Sequence, residues 1–286
     1  MFRLFFIAIF FLTACSSEPP TPVSEPPAVH YIEQGRNLAK GLAACGFCHG
    51  STSSTSALLS GGQKLYDLYG EVTAPNITPA GSGLKDWTTA DIMSLFRTGE
   101  RPDGRRISGE LHSGFEWMSD ADLLAIISYL KNIPAIENNV QRRSLSRFSR
   151  STTGFFQSEK EVTGHVPEIE KIYLLEFGQY LTDHVARCAS CHNTPSTLFS
   201  EEKYLAGGKM IRNSNGEKVA PNITQAEISG IGSWSEEEIH DFLLSGETPD
   251  GRSVDAQFCP VEYFAQALPE DLVALARYLK SAAPIE

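Results

Sequence analysis

The sequence predicts a mainly α-helical protein built as two tandem domains related by internal duplication. Two observations carry that expectation. The first is self-similarity at a nearly constant offset. Ala74-Pro75-Asn76-Ile77-Thr78 returns as Ala220-Pro221-Asn222-Ile223-Thr224, 146 positions on, and Gly61-Gly62 returns as Gly207-Gly208 at the same distance. Trp87 matches Trp234, and Pro102-Asp103-Gly104-Arg105 matches Pro249-Asp250-Gly251-Arg252, both at 147. Tyr129-Leu130-Lys131 recurs as Tyr278-Leu279-Lys280. The second observation is apolar spacing at helical period between these motifs, with few alternating stretches that would read as strands.

Taken in order, residues 31–44 read as the first helix, with Ile32, Leu38, Leu42 and Ala43 on its apolar side. Its counterpart covers residues 169–185. After Trp87, Thr88 and Asp91 have the spacing of a capping box, and Ile92, Leu95 and Phe96 share the face of a helix that stops at Gly99. Ser235, Glu238, Ile239, Phe242, Leu243 and Gly246 repeat it. A last helix starts at Ser119 and places Leu123, Ile126, Ile127 and Leu130 inward. Its copy starts with Pro269 in the first turn and runs through Leu272, Leu275, Ala276 and Leu279. The domains are expected over 30–134 and 170–286, with 135–169 as a linker between them.

The N-terminus is read separately. Arg3 precedes a nine-residue apolar run, Leu4 to Leu12, which is too short to span a bilayer and fits a secretion signal over residues 1–14. It ends in Leu12-Thr13-Ala14-Cys15, which resembles the lipobox of bacterial lipoproteins. In that family the cysteine following the cut receives lipid, so Cys15 is the expected lipidation site, and Ser16 and Ser17 favour the outer membrane. The alternative is an ordinary signal that is discarded with Cys15. Residues 15–29 are rich in Pro and Ser and read as a tether.

The formal net charge is −11, unevenly spread. Residues 30–134 hold 9 basic and 11 acidic side chains, whereas residues 170–286 hold 9 and 18. Such a chain repels phosphate and makes a poor nucleic-acid binder. The acidic second domain serves solubility or docks a basic redox partner.

Besides Cys15, four of the six cysteines fall into Cys45-Gly46-Phe47-Cys48-His49 and Cys188-Ala189-Ser190-Cys191-His192, and Cys259 is left over. Two thiols separated by two residues can add to the two vinyl groups along one porphyrin edge, and the next residue then offers an imidazole to the iron. The pairs could instead be disulfides, redox thiols or halves of a zinc site. The secretion signal, the immediate histidine and the duplication favour covalent haem c, twice.

From about residue 30 onward the chain resembles the class I cytochrome c family. More narrowly, it resembles the cytochrome c subunits of periplasmic sugar and alcohol dehydrogenases. The resemblance rests on Ala-Pro-Asn-Ile-Thr, the Trp before an acidic helix start, Gly-x-x-Pro-Asp-Gly-Arg and the closing Tyr-Leu-Lys. It implies Gly35 packed against Tyr129 and Gly178 against Tyr278. It also implies a sixth iron ligand, in the family a Met before Pro. No methionine here precedes proline; the position eight after the Asp-Gly-Arg glycine is His112 in one copy and Cys259, followed by Pro260, in the other. For the first haem His112 competes with Met118, which also suits an apolar staple before the last helix. Cys259 is a ligand or a buried thiol. Met210 reads as core, Met93 and His240 as surface, and His30, His165 and His184 as solvated. Asn76, Thr78 and their copies are expected to order loops through side-chain hydrogen bonds.

The resemblance implies periplasmic electron transfer between a donor and an acceptor, as a carrier or as the cytochrome subunit of a dehydrogenase, with the lipid holding the chain to a membrane. The rival reading is a redox enzyme: one whose His/Cys-ligated haem oxidises sulfur compounds, as in thiosulfate dehydrogenases, or a peroxidase. No hydrolytic triad, further metal motif or phosphate loop is present.

Overall fold

The computed structural model describes residues 28–50, 59–144, 162–197 and 199–286. The signal segment, Cys15 and nearly all of the tether lie outside them. In the N-terminal half, α1 (Ala28–Lys40) is followed by α2 (Cys45–His49), β1 (Lys64–Asp67), β2 (Gly70–Thr73) and α3 (Thr89–Thr98). Then come α4 (Gly109–His112), a 3-10 turn (Phe115–Trp117) and α5 (Asp120–Asn132). The C-terminal half has α6 (Leu174–Tyr180) running into a π-helical turn (Leu181–Val185), α7 (Cys188–His192), β3 (Met210–Asn213) and β4 (Gly216–Val219). It closes with α8 (Glu236–Ser245), α9 (Val261–Phe264) and α10 (Pro269–Ser281). Helix therefore dominates, as expected.

Local chemistry fixes the helix ends. The capping boxes form at both sites: Thr88 accepts from the Asp91 N–H while Asp91 accepts from the Thr88 N–H, and Ser235 and Glu238 do the same. Gly99 and Gly246 then end α3 and α8 in the left-handed conformation, at φ 71° and 69°. The first helix is displaced from its expected span. It starts at Ala28 and ends at Lys40, because the chain must turn through Gly41 to Ala43 and a left-handed Ala44 before α2 begins. Its copy begins only at Leu174, since Ile169 and Ile172 find no core and stay 37% and 79% exposed.

In each half the first helix crosses the last at a glycine. A Cβ on Gly35 would lie 1.8 Å from the Ala125 carbonyl oxygen, and one on Gly178 would lie 2.1 Å from that of Ala274. The expected Gly178–Tyr278 contact is present, 2.8 Å from such a Cβ to the Tyr278 Cβ. At Gly35 the closest neighbours are instead the backbone of Ala125 and Ile126, one turn before Tyr129. Leu123, Ile126, Ile127 and Leu130 of α5, and Leu272, Leu275, Ala276 and Leu279 of α10, fill one apolar core that runs through both halves.

The few strands form a small sheet. Two short hairpins join into a four-stranded antiparallel sheet in the order β2-β1-β3-β4, with Leu65 opposite Asn213 at the seam between halves. Met210, expected in the core, opens β3 and is 48% exposed, on a strand that lines a cavity rather than packing into the helical core.

Residues 136–143 continue the packing of the N-terminal half. The Asn76 side chain donates to the Ile136 carbonyl at 2.7 Å, and Glu137 accepts from the Gly81 and Ser82 N–H groups. Arg143 grips Asp67 with two nitrogens at 2.6 and 2.7 Å. Burial pushes the Asp67 carboxyl up, but the Arg143 guanidinium, Ser108 and the Tyr69 N–H together outweigh it and hold the group below its ordinary value. A carboxylate depressed in this way stabilises the fold above its unfolded pKa and loses that contribution as pH falls through the folded value. Arg143→Met is therefore expected to cost about 2–4 kcal/mol at neutral pH, since it leaves a buried carboxylate alone. Urea melts of the two proteins should converge as pH drops below about 4.

Candidate haem sites

Each Cys-x-x-Cys-His stretch is a single short helix entered through a left-handed residue, Ala44 at φ 43° and Arg187 at φ 57°. That entry turns the chain sharply from the first helix of its half. It leaves Cys45 and Cys48, and Cys188 and Cys191, as free thiols, with Cys259 a fifth. Burial is the leading reason four of these thiols resist ionisation: Cys45 and Cys259 are pushed up to about 12, Cys48 to about 11, and Cys188 also upward.

The motif histidines are held the same way in both halves. His49 donates from Nδ1 to the Pro75 carbonyl at 2.9 Å, and His192 donates to the Pro221 carbonyl at 2.8 Å. This is the work of the repeated Ala-Pro-Asn-Ile-Thr, a role that sequence reasoning missed. A ring committed through Nδ1–H keeps its lone pair on Nε2, as a metal-ligating imidazole requires. Burial lowers both histidine pKa values, so the neutral ligand form prevails. The loop is fixed by its own side chains, as expected: Asn76 Oδ1 accepts from the N–H and hydroxyl of Thr78, and Asn222 from those of Thr224. Gly61 and Gly207, at φ 76° and 75°, donate to the His49 and His192 carbonyls from the other side.

Opposite His49 stands His112, at the end of α4. The ring centroids are 6.2 Å apart and inclined by 50°. His112 also donates from Nδ1, to the Ser108 carbonyl at 3.2 Å. Its pKa falls to about 3, first through burial and then through the charges of His49 and Arg187. Met118 is fully buried in the apolar core just before α5, the place of the staple. Arg97 donates to the Met118 and Glu116 carbonyls and pairs with Asp120, which fixes the approach to α5.

In the C-terminal half, Cys259 follows a turn in which its N–H bonds the Asp255 carbonyl at 3.1 Å. It lies near enough to Cys188 and Cys191 that a thiolate at one would hinder ionisation of the next. Cys188, Cys191, His192, Cys259 and Pro260 line one cavity of about 790 Å³, a size typical of cofactor pockets. Cys48, Leu111 and Phe115 reach the same cavity from the N-terminal half. The chemistry of these donors fits haem: paired thiols, a neutral imidazole beside them, and a second soft or nitrogen donor across the space.

The readings of His184 and Met93 change, while His165 keeps its expected exposure. His184 is not solvated: its Nδ1 donates to the Gly114 carbonyl at 3.1 Å, across the two halves. His165 is exposed yet pairs with Asp120 at 2.7 Å. Met93 is half-buried against the core, and His240 keeps 26% of its side chain exposed beside Asp241.

No family model matches the chain. It is 28% identical over 273 residues to the fructose dehydrogenase cytochrome subunit of Gluconobacter japonicus, covering 92% of this chain and 54% of that one. It is 29% identical over 256 residues to a diheme cytochrome c-type protein of Cereibacter sphaeroides, covering 87% and 84%. The gluconate 2-dehydrogenase cytochrome c subunit of Pantoea cypripedii is 25% identical over 266 residues, covering 87% and 59%. The chain thus spans little more than half the length of these two dehydrogenase subunits. No helix among the described residues is long and apolar enough to cross a membrane. The chain is a relative of the cytochrome c subunits of sugar and alcohol dehydrogenases and of a diheme cytochrome c.

Proposed function

We propose that the chain is a periplasmic di-haem cytochrome that transfers electrons from a dehydrogenase partner to an acceptor. It would be two copies of one class I cytochrome c domain, 30–134 and 170–286, held to a bacterial membrane by lipid on Cys15. Cys45, Cys48 and His49 hold one haem c, and Cys188, Cys191 and His192 the other. When bound, haem c supplies a one-electron ferric–ferrous couple.

The observation that carries this reading is the facing pair of imidazoles. Two metal–imidazole bonds of about 2 Å each, plus the two half-rings, add to roughly 6 Å. His49 and His112 stand 6.2 Å apart between ring centroids, and each has its Nδ1 bonded to a carbonyl. A histidine on both sides closes the metal to substrates, which suits a carrier. Cys259 takes the corresponding place in the second copy. The carbonyls around both sites orient the imidazole donors. The acidic C-terminal half offers a docking face for a basic partner.

The test is low-temperature EPR of the oxidised holoprotein. His112→Ala is expected to convert one low-spin haem to high spin and to open it to carbon monoxide once reduced. Cys259→Ala should alter only the other. A wild-type protein with one high-spin haem that His112→Ala leaves unchanged would refute the ligand set.

A further inference from the structure

Between the two haem motifs lies one side chain that the repeat does not account for. Arg187 directly precedes Cys188, at the place that Ala44 holds before Cys45. Its guanidinium leaves its own half and reaches the loop that carries His112. Nε donates to the Ser113 carbonyl at 2.6 Å and Nη2 to the Leu111 carbonyl at 2.9 Å. These are the two carbonyls that flank His112. The guanidinium also stacks over Phe115, its carbon 4.2 Å from the ring centroid. It lines the shared cavity together with Cys48 and Cys191. Nearby, Gly114 at φ 103° approaches the Asp183 carbonyl so closely that an added Cβ would lie 2.7 Å away. His184 donates to the Gly114 carbonyl. The His112 loop is therefore clamped from the C-terminal half by the residues leading into the second haem motif.

We infer that Arg187 is a positioning residue that holds His112 on the first haem iron from the position just before the second haem motif. The inference rests on the reading of His112 as a ligand. α4 has only four residues, and a helix that short does not hold its last side chain by itself. The planar two-pronged donor supplies the constraint, and a lysine, with its single freely rotating ammonium, does not replace it. Ligation in one half is thereby tied to the folding and haem loading of the other.

The experiment uses the full-length holoprotein with Arg187→Gln, Arg187→Lys and His112→Ala. Protein mass confirms two attached haems, and far-UV circular dichroism confirms folding. His112→Ala sets the full response: loss of one low-spin EPR signal and carbon monoxide binding at one ferrous haem. Arg187→Gln is expected to raise the fraction of that haem open to carbon monoxide roughly tenfold or more, the weight of one charge-assisted hydrogen bond. Arg187→Lys, which keeps the charge next to Cys188, is expected to show the same rise, and it serves if the glutamine variant fails to load haem. Arg187 variants identical to wild type, alongside an altered His112→Ala, overturn the inference and leave the ligand reading intact. A His112→Ala protein with an unchanged spectrum overturns both.

Discussion

Cys45→Ser combined with Cys48→Ser is expected to remove one covalently bound haem from each chain and to leave the other in place. Both cysteines are partly buried, Cys48 lines the shared cavity, and His49 stands one residue further on. Serine keeps the size of the side chain but cannot form the thioether, so the mass of the purified protein should fall by one haem. The haem absorbance after alkaline pyridine treatment should drop to about half if both motifs load. Cys188→Ser with Cys191→Ser is expected to give the same loss from the other motif. Full haem content in either double variant would exclude that motif as an attachment site.

Gly178→Val is the second large effect, on stability rather than cofactor content. The valine Cβ alone would sit 2.1 Å from the Ala274 carbonyl oxygen, a backbone atom that moves only if α10 moves. Separating α6 from α10 exposes part of the buried face formed by Leu272, Leu275, Ala276 and Leu279. Overpacking against backbone costs at least about 3 kcal/mol. For a chain of this size that lowers Tm by on the order of 6–12 °C, measurable by calorimetry. Gly35→Val, whose Cβ would meet the Ala125 oxygen at 1.8 Å, should behave alike. A melting temperature within a degree of wild type would mean that the helices do not cross this closely.

These effects differ in how far the sequence announces them. Both capping boxes and the glycines that stop α3 and α8 are written within a few neighbouring residues. Local chemistry decides them, and they form where expected. The strands escaped notice because Lys64–Asp67 and Met210–Asn213 are four residues long and of mixed polarity. Asn215-Gly216 was the available sign of a tight turn. His112 was legible from its offset in the repeat, whereas its spacing from His49 required the tertiary fold. Arg187 could not be read at all, because its partners lie more than seventy positions upstream and are backbone carbonyls, which any residue provides.

The bonds made by residues 136–166 bear on where this gene could be cut. A fragment ending at Pro134 would strip Asn76 of its bond to Ile136, Ser60 of its bond to Asn138, and Asp67 of its guanidinium partner. It would also lack Val162 and Val166, which exchange backbone hydrogen bonds with Arg97 and Asp120. A fragment running through Val166 keeps all of these. Even so, Ser119 would lose the Tyr180 hydroxyl that accepts its N–H, and Asp122 the same hydroxyl as a donor. The N-terminal portion, produced by itself, would carry its haem motif on a scaffold with one wall missing, so work on a single haem is better done in the full chain with one motif disabled.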